Sequence, residues 1–140
     1  MIFKYHIEID LLAVKCPPEA YKSVNIAAFR WIFERMEDES NFQPLYFKNP
    51  QRVNGFGDHE KCQSLGLSMF DSIANAARQF DFLKTRLGET VYQVLGVNLA
   101  EGKLTFTDGV ADAPNYKGHF TFHPSDTCIF EDSFQIIAAL

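Results

Sequence analysis

Cysteine is scarce in this chain: Cys16, Cys62 and Cys128 lie far apart, are odd in number and form no Cys-x-x-Cys. That spacing indicates neither a disulfide framework nor a zinc knuckle, so reduced thiols in a cytoplasmic setting are expected. Positive charge is also in short supply. Thirteen Lys and Arg stand against 18 Asp and Glu, for a net charge of −5, and no basic run offsets the deficit. Nucleic acid and anionic membrane surfaces both require a positive footprint, and both are disfavoured as partners. No apolar run approaches the roughly 18 residues of a membrane span. The opening Met1-Ile2-Phe3-Lys4-Tyr5-His6-Ile7-Glu8 carries charge too early for a signal peptide. There is no internal repeat, low-complexity stretch or linker.

What is present is apolar mass. The chain is 46% hydrophobic with 14 Phe among 140 residues, which excludes a disordered polar chain and supports one domain spanning residues 1–140.

Periodicity sets the expected elements. Phe3, Tyr5, Ile7, Ile9 and Leu11 alternate with polar residues, the pattern of a half-buried strand. Pro17-Pro18 ends it, and a helix is expected from about Pro18 to Met36, with an apolar arc wide enough for contact on two sides. Phe42 to Phe47 reads as a short strand, Asn54-Gly55-Phe56-Gly57-Asp58 as loop and Leu65-Gly66-Leu67 as a brief strand. Ile73, Ala76, Ala77, Phe80, Leu83 and Leu87 mark a second helix from about Asp71 to Leu87, capped by Ser68 or Asp71 and closed by Gly88. Val91 to Leu99 reads as a buried strand, with Glu101-Gly102 turning into a partner over Lys103–Thr107. Strands follow at Gly118–His123 and Ser133–Ala138, the last without a charge. The expected class is α+β: a mainly antiparallel sheet with two principal helices packed on one face.

Few residues carry a chemical signal. His119 and His123 share a strand face but stand about 13 Å apart, too far to bind one ion, so no metal site is expected. Cys62 follows Asp58-His59-Glu60-Lys61, and as a nucleophile it would need a base brought by the fold, His119 or His123. Asn54-Gly55-Phe56-Gly57 lacks the spacing of a phosphate loop. Leu65 to Ser72 places hydroxyls where a strand gives way to a helix, and free backbone amides there can face an anion.

The order of that junction, the Ala-containing helix, Val91-Tyr92-Gln93-Val94 and the late Glu131 resembles ADP-ribosyltransferase domains over about half the chain. The resemblance implies a nucleotide-using transferase with Ser68 as the strand serine and Glu131 as the catalytic glutamate. No Arg sits within Phe42–Phe47, where that family has a basic residue. Arg52 lies in the loop beyond, and the Ser-Thr-Ser triplet is missing.

Taken from the residues alone, the leading expectation is a binding or interaction module without catalysis. It would need no cofactor, take a protein or small-molecule ligand and pair as a homodimer through the uncharged C-terminal strand or the wide apolar arc of the 18–36 helix. The alternative is an enzyme, either the transferase or a Cys62 hydrolase, whose site would gather Ser68, Arg52, Glu131 and His119 or His123.

Overall fold

The stretch with the widest apolar arc, from Val24 to Phe33, lies inside a sheet and is not a helix. A computed structural model describes residues 1–140. Seven strands form one sheet: β1 (Lys22–Ser23), β2 (Ile26–Ile32), β3 (Leu67–Phe70), β4 (Asn98–Leu104), β5 (Gly109–Ala111), β6 (His119–Pro124) and β7 (Phe134–Ala139). They lie in the order β1-β5-β6-β3-β2-β4-β7, every neighbour antiparallel. Helices α1 (His6–Asp10), α2 (Leu45–Lys48), α3 (Pro50–Asn54), α4 (Asp58–Ser64), α5 (Ile73–Leu87), α6 (Thr90–Val94) and α7 (Phe130–Ser133) connect them. The α+β class with an antiparallel sheet is as expected. No helix is long and apolar enough to cross a membrane.

The expected helix at 18–36 fails because β2 is covered on both faces. Ala28 and Ile32 enter the larger core, with Leu67, Met69, Phe120 and Phe122. Phe29 and Trp31 enter a smaller cluster on the other side, with Phe70, Ala76 of α5 and Leu99. Apolar residues at both parities erase the period of two, and the remainder imitates a broad helical stripe.

Other local readings also change. The N-terminal alternation gives only a bridge, Phe3 to Ser125, before the chain turns into α1. Ile9 is buried there, but Ile7 and Leu11 end in solvent, so the apolar face found only part of a core. Phe42 closes a 3-10 turn and Pro44 opens α2, where a strand was expected. The run Val91–Leu99 splits into α6 and the start of β4 around Gly96, whose φ of 132° suits glycine alone. Glu101-Gly102 is no turn: β4 runs straight through it, pairing Gly102 with Ala28 and Phe134. The Phe134 ring lies where a Cβ of residue 102 would project, so glycine here makes room for an aromatic neighbour. Gly109 begins β5 after the turn that ends β4, opposite Pro124.

Three elements match their patterns closely. α5 is capped by Ser72 and not by the expected Ser68 or Asp71, the Ser72 hydroxyl accepting from the Asn75 amide at 3.1 Å, and it ends as expected at Gly88 with φ 62°. β6 and β7 fall where the last third predicts them. β7 lies at the sheet edge, paired on one side with β4.

Candidate functional site

β2 and β3 touch at a single pair, Phe29 with Phe70. Beyond it the Arg30 side chain bridges the gap. Its Nη1 donates to the Ser68 carbonyl at 2.7 Å and its Nε to the Asn41 carbonyl at 2.8 Å. Asn41 is buried, accepts from the Phe33 amide and donates to the carbonyls of Arg35 and Met36, which fixes the loop after β2. Burial lowers the Arg30 pKa to about 10, so the guanidinium keeps its charge at neutral pH.

Beside this bridge lies a cleft of about 570 Å³, bounded by α2–α4 and the C-terminal end of α6, with β2, β3 and β6 beneath. That volume falls within the usual range for small-molecule sites. Three cations reach it: Arg30, Lys48 and Arg52; Glu60 is the one carboxylate in its lining. None of the three has an ion-pair partner, since the sole salt bridge is Arg35–Glu37 on the surface. Lys48 sits 5.7 Å above the Phe33 ring, and partial burial together with the Arg30 charge pulls its pKa to about 8. Arg52 lies 5.9 Å from the Phe56 ring. In a chain of net charge −5, the cleft gathers three cations without an ion-pair partner.

Within the cleft, His119 Nε2 and Ser68 Oγ lie 2.9 Å apart. Burial lowers the His119 pKa, opposed by the field of Asp112, so the ring is neutral at pH 7. Its edge meets the Phe70 ring at 5.5 Å. A neutral imidazole beside a hydroxyl can take up its proton, which is the first requirement of a general base. No carboxylate hydrogen-bonds the ring from its other side.

Of the residues singled out from the sequence, Ser68, His119 and Arg52 are brought together. Glu131 is not. Its helix α7 carries Phe130 into the larger core, whereas Ser68 alternates with Leu67 and Met69 of that core and points the other way. The serine and the acid of the transferase resemblance therefore stand on opposite sides of the sheet. His123 shares the His119 face but is 1% exposed, beside Gly66, and its Nε2 has no hydrogen-bond partner.

Cys62 is corrected outright. It forms a disulfide with Cys16, 46 residues away, so it offers no thiolate nucleophile and the expectation of three reduced thiols fails. The fold carries the loop after α1 against the buried side of α4, a proximity invisible in spacing. The remaining thiol, Cys128, is buried and pushed up to about 12, which leaves it inert. Sequence reasoning also missed Arg30 and Lys48. A charged residue at the centre of the apolar run 24–33 was the available signal for Arg30; Lys48 left none.

No protein-family model matches the chain, and no curated protein or solved structure matches it either. The class defined by fold and site is an α+β domain with a cationic cleft over an antiparallel sheet.

Proposed function

We propose that the protein is a binding module whose cleft takes a small anionic ligand, a phosphate- or carboxylate-bearing molecule with an apolar or aromatic part. The observation that carries this reading is the convergence of Arg30, Lys48 and Arg52 on one cleft without a carboxylate partner. Like charges held together cost free energy that an anion offsets, and Arg presents a fork matched to phosphate and carboxylate. Trp31 and Phe56 line the same cleft and supply faces for a planar group. Calorimetric titration with phosphate, AMP, NAD and citrate, against uncharged adenosine, tests it. Binding of the anions, weakened in Arg52→Ala, supports the reading; equal heats for adenosine and AMP would sink it.

A second copy of the chain is the proposed protein partner. β7 is a six-residue uncharged edge strand with Ile136 41% exposed, a natural template for strand addition. Sedimentation should give a dimer that Ile136→Lys dissociates; a wild-type monomer at high concentration removes this part. The compartment enters through the cysteines, because a cytoplasm would hold Cys16 and Cys62 reduced, and alkylation trapping in cells reads their state.

The Ser68–His119 pair favours one catalytic reading, a hydrolase acting on an anionic ester with Ser68 as nucleophile and His119 as base. Turnover of phosphate or carboxylate esters abolished by Ser68→Ala supports it; turnover unchanged by that substitution removes it.

A further inference from the structure

At the edge of the cleft, three ligand-type atoms meet: Sγ of Cys16, Sγ of Cys62 and a ring nitrogen of His123 lie within 4.8 Å of one another. They come from three separate parts of the chain, the loop after α1, helix α4 and strand β6. We propose that this cluster is a redox-gated zinc site, closed while Cys16 and Cys62 are bridged and opened to a divalent thiophilic cation when they are reduced. The inference is independent of the anion-binding reading, since it uses none of that cleft's cations or hydroxyls.

Two observations point to a ligand here. The first is the sulfur and nitrogen set itself, borderline-soft donors of the kind that select zinc over magnesium or calcium. The second is the His123 nitrogen, which is 1% exposed and has no hydrogen-bond partner. A buried nitrogen left without a partner costs stability, and a metal bond would use its lone pair. Gly66 packs closely over this part of β6: a Cβ there would stand 2.5 Å from Thr121 Cγ2 and 3.1 Å from His123 Nε2. Burial keeps the imidazole neutral, with a pKa near 4, and the neutral ring is the form that ligates. In a tetrahedral site with bonds of about 2.0–2.3 Å, neighbouring ligand atoms sit roughly 3.5–3.8 Å apart. The present separations are compatible with that once the sulfurs part.

The chemistry balances with a dithiol reductant as co-reactant. One of its thiolates attacks the disulfide, most readily at Cys16, the partly exposed end. The Cys16–Cys62 bond breaks, the reductant closes to its own disulfide, and two electrons and two protons leave two protein thiols behind. Zinc then forms two bonds to sulfur and one to nitrogen and releases both thiol protons to solvent, with no further change of oxidation state. Three protein ligands leave the fourth position to water.

The test uses the full chain, reduced with dithiothreitol and exchanged into oxygen-free buffer, then titrated with cobalt(II) as a coloured stand-in for zinc. Expected is saturation at one equivalent, with thiolate-to-cobalt charge transfer and tetrahedral visible bands that zinc bleaches. The oxidised chain, Cys16→Ser and Cys62→Ser should lose the signal, and His123→Gln should lose saturation at one equivalent. Should these variants fail to fold, X-ray absorption of the zinc-loaded wild type reads the ligands directly, with two sulfurs and a histidine nitrogen expected. A reduced chain that unfolds and refolds on zinc also supports the site. Reduced protein that binds no more cobalt than the double serine variant, a signal unchanged in folded His123→Gln, a sulfur-free coordination shell, or a reduced chain that zinc fails to refold each overturns it.

Discussion

Ser68 and His119 are diagonal neighbours on one face of the β3–β6 pair. Ser68 lies opposite Thr121 and Phe70 opposite His119, and the hydroxyl and imidazole meet at 2.9 Å although 51 residues separate them. The backbone of Ser68 is held from the other side by Arg30. Site geometry and fold stability are therefore coupled through one guanidinium, which makes the cleft's three cations separable by experiment.

Arg30→Met should destabilise the fold by about 2–3 kcal/mol, because the carbonyls of Ser68 and Asn41 both lose their donor. Arg52→Ala removes an exposed side chain and should leave stability within about 0.5 kcal/mol of wild type. Its effect is expected on anion affinity instead, a loss of roughly tenfold, equivalent to about 1.4 kcal/mol. Urea unfolding and calorimetry of the two variants check the division.

Stability should fall on mild acidification. His123 drops from 6.5 to about 4 on folding because burial penalises its charged form. The unfolded chain therefore binds the proton more tightly. This contribution is complete above pH 6.5 and fades as pH falls toward about 4, for a total of about 3 kcal/mol. His119, also lowered, adds in the same direction. Urea unfolding of the disulfide-bonded chain across that window should show the decline, and His123→Gln should flatten it.

Gly102→Ala places a methyl group against the Phe134 ring, which is 4% exposed and cannot move freely. A loss of about 1–3 kcal/mol is expected. Phe134→Leu in the same chain should recover part of it, so the double variant should be more stable than the two single losses summed. A double-mutant cycle by urea unfolding measures that coupling.

Cys16→Ser combined with Cys62→Ser opens a loop of 46 residues. Loop-closure entropy sets the loss of stability near 4 kcal/mol under oxidising, metal-free conditions. Wild type and double variant should differ by that amount without reductant and converge once dithiothreitol is added. Unequal unfolding midpoints in reductant would show that the serines act by something other than the missing bond.

The sequence by itself determined those elements whose signals are local. α5 has a stripe at helical spacing and a terminal glycine, although its cap falls at Ser72. β6 alternates Phe120 and Phe122 with polar residues, and the period stays legible although both faces are covered, because the residues buried on the second face, Thr121 and His123, are polar. The α+β class and the candidacy of Ser68, His119 and Arg52 were legible for the same reason, through residue type beside loops and strand ends. Only the tertiary structure decided the rest. β2 lost its period by being buried on both sides, and Gly102 sits in a strand because Phe134 needs its space. The cation cleft, the Cys16–Cys62 bridge and the unpartnered His123 nitrogen all depend on which strands pair. Pairing is settled by packing between residues dozens of positions apart, and no local pattern records it.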